Sequence, residues 1–571
     1  MGSGASSKRR FIPIDLDLNN WNDIEPYYKK LLGRLRESSV DLGAWMKDYD
    51  ELNDALQEFA TLSYIRYTTH TDDPEAQKSY AHITGQVITP STTYDNEFHK
   101  LLVKNSALEG LSPPDFLPSI ERMKKEMQLY SEQNLPLLNR EQLLAGEYNQ
   151  VKGGQTIRYG NEDLTIDKAA LLLKGSDRSV REEVFKKICE RRFQDADRLD
   201  NILTELVQLR HEIAQNAGFK SYIDYSFNKW GRTDYTPADC AAFHPVVAEM
   251  VVPVDAKLMR YRKKYLQVDM LRPWDVPVEL TGRSILKPST DTNDLIEKTI
   301  ACLTRLDPHF GKCLQLIRDM NHLDLESRPG KIKGVGYHAT LAETGVPYIV
   351  QNNNNSERDR LVLIHETGHA IHSLLASTIE YSILRLKPPL EIAEVASKGL
   401  ELLSMKYWDT YYTDPADVKT AKKIKLASII SYLPLYSLGD SFEAWLYENP
   451  THTKAQRKEK WLQLTRTYGS GVVDYSGYEE TRCIDYQEIP PVYILPFYLT
   501  AYSFSDLGSI SIWRNFMHNP ETTLSRYKAA LSLGTKRSVP ELYKTAGIEF
   551  NFSRPYVKEL MDFVEQQMEE L

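Results

Sequence analysis

The sequence predicts a mainly α-helical protein carrying a few short β elements, and three observations lead there. Apolar residues recur three and four positions apart within long charged stretches, as at Tyr28, Leu31, Leu32 and Leu35, the period of a helix with one buried face. β signals are confined to two short stretches, and neither a repeat of fixed period nor a glycine- or serine-rich linker divides the chain. Of the 571 residues 42% are hydrophobic and 26% charged, which supplies a core and excludes disorder as the dominant state.

Residues 21–144 read as helix punctuated by Pro113-Pro114 and Pro136. Gln155 to Tyr159 and Leu164 to Ile166 then form a hairpin about Gly160-Asn161-Glu162, and Asp167 is placed as the N-cap of the following helix. Helix returns over residues 178–227, and Thr236-Pro237, a cap followed by a first-turn proline, opens another helix running to about Leu266. The helical period lapses between Leu271 and Leu286, where Leu271-Arg272-Pro273-Trp274-Asp275 reads as a fixed loop, and it resumes near Thr292. The second β signal lies in residues 334–351, strongest in Gly345-Val346-Pro347-Tyr348-Ile349-Val350-Gln351, and the run Asn352 to Asn355 ends it. After Arg358 the chain is again mostly helix.

Charge and cysteine content narrow the function. With 70 basic against 79 acidic side chains the net charge is −9, which argues against a dedicated nucleic-acid partner. No stretch approaches the roughly 20 apolar residues that span a bilayer, so no membrane partner is expected. Met1-Gly2-Ser3-Gly4 reads as an added scar, and no apolar stretch follows the basic cluster before Phe11, so no signal peptide is expected. Five widely spaced cysteines without a Cys-x-x-Cys pair suit a reduced, cytoplasmic protein.

The chemistry concentrates in Leu361 to Ser377, which contains His365-Glu366-x-x-His369. At about 100° per residue, positions i and i+4 share one helix face, so both imidazoles can reach a single zinc ion about 2.0 to 2.1 Å away, and Glu366 falls beside them where it can hold a water. A catalytic zinc takes a third protein ligand and leaves the fourth position for water. The metzincin position for a third histidine is Leu375, and the positions 19 and 20 residues past His369 are Pro388 and Pro389, which suit a helix start instead. On that next helix lie Glu391, Glu394 and Glu401. Glu394, set among Ile392, Ala393, Val395 and Ala396, is the favoured ligand; Glu391 is expected as a solvated first-turn acid.

The pattern His365-Glu366-x-Gly368-His369-x-x-His372, followed by Glu394-x-x-Ser397-x-x-x-Glu401, resembles the oligoendopeptidase F and thimet oligopeptidase family of zinc oligopeptidases. Ala342-Glu343-Thr344-Gly345-Val346-Pro347, Leu271 to Asp275 and Arg210 to Tyr225 extend the likeness. It implies a bilobed helical fold enclosing a deep substrate channel, small β elements beside the zinc helix, and short unstructured peptides as substrates. It implies one zinc per chain on His365, His369 and Glu394, with Glu366 as general base. Glu401, Ser397 or both would orient a ligand imidazole, and His372 would serve that shell or the substrate. Tyr498 and Tyr502 match the family segment supplying oxyanion donors, and the strand holding Tyr348 and Gln351 would pair with an extended peptide.

Two places depart from the family: Pro491 stands where relatives carry a histidine, and Asn355-Ser356 replaces a Gly-Thr pair. The expected division is residues 1–10 as scar and flexible start, 11–200 as an N-terminal helical half with the hairpin, and 201–571 as the catalytic half. The function expected is a zinc endopeptidase for oligopeptides, acting as a monomer or small homo-oligomer. A zinc carboxypeptidase and a peptide-binding or specialised processing protein with weak general hydrolysis are the alternatives.

Overall fold

Short polar side chains set the starts of the long helices. Asp41, Asp177, Asp291 and Asp414 each accept a hydrogen bond from a first-turn main-chain N–H, opening the helices Leu42–Thr69, Arg178–Asn216, Thr292–Leu306 and Pro415–Glu448. The structure is a computed structural model describing residues 9–37, 39–104, 113–279, 286–328, 330–332, 336–379, 381 and 388–571. The expected scar Met1 to Gly4, and Gly334 of the second β signal, lie outside the described residues. The fold is mainly α, as the sequence predicts.

The hairpin forms with β1 (Thr156–Tyr159) antiparallel to β2 (Glu162–Thr165), Ile157 facing Leu164. Gly160 takes φ +59° in its tight turn, a conformation open to glycine at no steric cost. Strand β2 runs straight into the helix Ile166–Leu172, so the cap is Thr165, whose hydroxyl accepts from the Lys168 N–H; Asp167 lies in the first turn instead. Thr236 and Asp239 form a reciprocal capping box, but the helix they open ends at Met250. A second, Val252–Tyr265, begins with Pro253 in its first turn, because proline cannot donate to the preceding turn.

Packing divides the chain into two compact units, one of residues 1–128, 287–411 and 512–550, the other of residues 129–286, 412–511 and 551–571. The division expected between residues 200 and 201 falls inside the Arg178–Asn216 helix, where Leu199, Ile202 and Leu203 continue one buried face without a break.

In the first unit, Ile24, Tyr28, Leu31, Trp45, Phe98 and Leu102 form a core that also takes in Ala376 and Ile379. Its sheet has the order β3-β5-β4, with β3 (Leu323–Glu326) parallel and β4 (Tyr337–Ala339) antiparallel to the central β5 (Tyr348–Asn353). The sequence reading missed β3, a four-residue strand separated by three residues from the helix Pro308–Asp319. Buried Lys331 secures it by donating to the carbonyls of Asp324 (2.8 Å), Glu326 (3.0 Å) and Gln351 (2.6 Å) across a register shift. In the second unit the loop at Leu271 to Asp275 is held by the buried Asp275 carboxylate, which takes Arg178 at 2.8 Å and Arg181 at 2.9 Å.

Candidate metal centre

The helix Glu357–Ala376 carries the motif, and the chain enters it through a left-handed residue. Asn355 has φ +58°, a region asparagine tolerates better than most residues, and Ser356 then caps the helix in a reciprocal box with Asp359. Asn355 and Ser356 together thus carry the chain from β5 into the helix. Ser356→Ala should cost about 1 kcal/mol of stability, read by denaturant unfolding.

Helix Leu390–Ser404 packs on the motif helix at Gly368. A Cβ there would sit 2.5 Å from the Ala396 carbonyl oxygen and 2.5 Å from the Ser397 Cα, so only glycine permits this approach. Gly368→Ala should therefore force the helices apart, cost about 1 to 3 kcal/mol as overpacking does, and lower metal retention; thermal unfolding and bound-metal analysis check it.

The approach brings three donors together. One ligand atom from each of His365, His369 and Glu394 lies within 4.8 Å of the others. His365 Nε2 is 3.6 Å from one Glu394 carboxylate oxygen and His369 Nε2 is 3.9 Å from the other. Those spacings exceed a direct hydrogen bond and lie near the roughly 3.3 Å between neighbouring ligands of a tetrahedral ion with bonds of about 2.05 Å. Two imidazoles and one carboxylate are a donor set that suits zinc.

The second helix also orients both rings. His365 Nδ1 lies 2.7 Å from Glu401 Oε1, leaving Nε2 to face Glu394, and the Ala393 carbonyl hydrogen-bonds the His369 ring. Ser397 bonds within its own helix: its hydroxyl donates to the Glu394 carbonyl at 3.0 Å and lies 3.3 Å from the Glu394 carboxylate. Glu391 is 3% exposed rather than solvated, because nearly every side chain of this helix is covered.

Electrostatics separate the roles of these groups. Burial opposes the charged form of His365, but the hydrogen bond and charge of Glu401, with Glu366 and Glu394 beyond, win and push its pKa up to about 9. Burial and the neighbouring His365 and His372 hold His369 well below the ordinary histidine range, so it is neutral. Burial pushes Glu366 up to about 7; His365 works against the rise, Glu394 adds to it, and a main-chain hydrogen bond from His338 again lowers it.

His338, on β4, is the residue the sequence reading missed. Its ring lies 5.0 Å from the His369 ring at 23°, and burial brings its pKa down to about 3. Its position in the second β signal, in a chain with 13 histidines, was the available clue. His372 is buried one turn past His369, its pKa brought down to about 4 by burial and then His338, and it is outside the three-donor group.

One site expectation changes, and the remaining residues are placed as follows. Strand β5 pairs with β3 on one side and, over Tyr348 to Val350, with β4 on the other, so that stretch of its backbone is already taken. Gln351 is buried, its amide donating to the Asp359 carbonyl at 2.8 Å, and Tyr348 is half-buried beside His322. Tyr498 and Tyr502 belong to the other unit, ring to ring at 5.0 Å and both half-buried. Pro491 occupies the first turn of the short helix Pro490–Ile494, where its missing N–H is harmless.

A buried glutamate beside two helix-borne imidazoles and a carboxylate defines a metallopeptidase. The chain matches peptidase family M3 over residues 171–562 and the M3 N-terminal domain over residues 11–113, and it belongs to peptidase family M3. It is similar to an oligoendopeptidase F homolog of Borreliella burgdorferi, 23% identical over 88% of this chain and 86% of that one. Oligopeptidase PepF of Bacillus subtilis is 21% identical over 96% and 84%. Among solved structures, Pz peptidase A with an inhibitor shares the fold at a TM-score of 0.90 and 23% identity, over 98% of this chain and 99% of that one. Oligoendopeptidase F of Enterococcus faecium does so at 0.63 and 16%, over 96% and 98%. The chain is therefore a peptidase, with peptides as its substrates, and no described helix is long and apolar enough to cross a membrane.

Proposed function

We propose that the protein is a zinc endopeptidase cutting internal bonds of short, unstructured oligopeptides. The observation that carries this is the meeting of His365, His369 and Glu394 donors within 4.8 Å beside buried Glu366. A zinc ion there would supply Lewis acidity, lowering the pKa of a water toward about 7 and polarising the scissile carbonyl. Glu366, with a pKa near neutrality, is suited to accept the attacking water's proton and return it to the departing amine. Tyr498 and Tyr502 would donate to the oxyanion. An extended peptide would pair with β4, which among the described residues has a partner strand on one side only and begins next to Gly336, where a Cβ would lie 3.7 Å from Glu366 Oε1. The five free cysteines fit a reducing compartment such as the cytoplasm.

Mass spectrometry of products from a mixed peptide library tests this reading. Internal cleavage of short peptides, with native folded proteins left intact, is the expected result; release of single C-terminal residues would make the enzyme a carboxypeptidase. Metal binding should also depend on pH. Below about 9 the metal-free protein holds a proton on His365 that a metal must displace, so zinc affinity should weaken about tenfold per unit as pH falls from there. Competition titrations between pH 6 and 9 would show it.

A further inference from the structure

Phe497, immediately before Tyr498, has φ +64° and is 2% exposed. Left-handed backbone is unfavourable for a bulky side chain, and it persists where surrounding groups over-determine it. Here they do. The Phe497 N–H donates to the Glu443 carboxylate at 2.8 Å, and its carbonyl accepts from the Arg232 guanidinium. The preceding carbonyl, of Pro496, accepts from the Trp230 indole N–H at 2.8 Å and from the Ser226 hydroxyl at 3.4 Å. Glu443 is fully buried, Arg232 is 5% exposed, and the guanidinium lies 4.7 Å from the centre of the Phe227 ring. The Trp230 ring also meets the Tyr498 ring at 5.4 Å. Both polar groups of one backbone unit are thus fixed by buried polar side chains from separate elements, and the next residue is a tyrosine.

We propose that Trp230, Arg232 and Glu443 form a clamp on the Pro496-Phe497 backbone that positions Tyr498 and Tyr502 for the transition state. The clamp residues are positioning residues, and the proposal rests on the reading of the two tyrosines as oxyanion donors. An ordinary buried network would stabilise the fold without preference for the reaction. A clamp for these tyrosines instead governs kcat while leaving substrate affinity in place, because the interaction matters only as the oxyanion forms.

The experiment compares the zinc-loaded full-length enzyme with Glu443→Ala, Glu443→Gln, Trp230→Phe, the Tyr498→Phe/Tyr502→Phe pair, and the pair combined with Glu443→Ala. Burial, with Asp440 adding to it, pushes the Glu443 carboxyl well above the usual carboxylate range, so glutamine reproduces its accepting oxygen. Glu443→Ala should lower kcat by about 10- to 100-fold with KM little changed, and Glu443→Gln should restore it. Combined with the tyrosine pair, Glu443→Ala should add little further loss, since both act on one interaction. Trp230→Phe keeps the ring and removes the indole donor, so it should show a smaller kcat loss and serves if Glu443→Ala does not fold. Parental kcat in the tyrosine pair overturns the donor reading and the clamp with it. A loss in the pair alongside parental kcat in folded Glu443→Ala, or in Trp230→Phe where Glu443→Ala does not fold, overturns the clamp alone. Additive losses in the combined variant overturn it as well.

Discussion

Glu366→Gln is expected to lose hydrolysis by about 10² to 10⁴ while keeping the fold and a full complement of metal. The amide matches the carboxylate in shape, so the buried space between the motif helix and Gly336 stays filled, and it can still hydrogen-bond a water. It cannot accept that water's proton. Glu366 is outside the three-donor group, so zinc content should be unchanged. The loss should fall on kcat, because proton transfer belongs to the reaction and not to peptide binding. Substitution also removes a buried acid whose pKa lies near 7, so the variant should be at least as stable as the parent at alkaline pH. A zinc-loaded Glu366→Gln enzyme with parental kcat would place the base elsewhere.

Glu394→Ala is expected to abolish stable zinc binding, and activity with it. Glu394 is the single contribution of the second helix to the three-donor group, and it faces both imidazoles. Without it only the two imidazole nitrogens remain, and the carboxylate charge that offsets a divalent cation is gone. Elemental analysis after dialysis against a weak chelator checks this, and full zinc in the variant would refute the assignment. Glu401→Gln makes the informative comparison. It removes a carboxylate that orients His365 without joining the donor group, and such a change typically weakens metal affinity or activity by about 10- to 100-fold. The two glutamates, seven positions apart on one helix, should thus separate cleanly by metal titration.

The helical class was readable because long amphipathic segments with aspartate caps carry their own boundaries, as at Asp177 and Asp414. The three-donor group was readable because a spacing of four on a helix is a fixed distance in space, and the apolar neighbours of Glu394 betrayed a buried carboxylate. What local patterns cannot encode was lost. Strand β3 is too short to show a period, and its place depends on Lys331 reaching three carbonyls. The pairing of β5 was not readable either, because strand order is a tertiary property: its sequence reads the same whether central or at an edge. Glu391 resembled a first-turn surface acid, and its burial comes from helices far away in the chain, with Tyr543 bonding its carbonyl at 3.4 Å.

The unit holding the metal-binding group is assembled from three stretches of chain, and the last of them, residues 512–550, backs the helix that carries Glu394. The Tyr527 hydroxyl donates to the Ala396 carbonyl, and the same ring lies 3.3 Å from where a Cβ on Gly399 would be. During translation, both histidines and Glu394 leave the ribosome before their support exists. About 150 residues must follow, on the order of 10 to 30 s at ordinary rates of synthesis. Nascent chains therefore pass through a period in which the three donors are present and the packing behind Glu394 is unfinished. A chain ending between residues 503 and 526 would hold every residue proposed for the site but lack Tyr527 and the packing behind Glu394. Such a product would be a client for chaperones and proteases and no threat to the peptides around it.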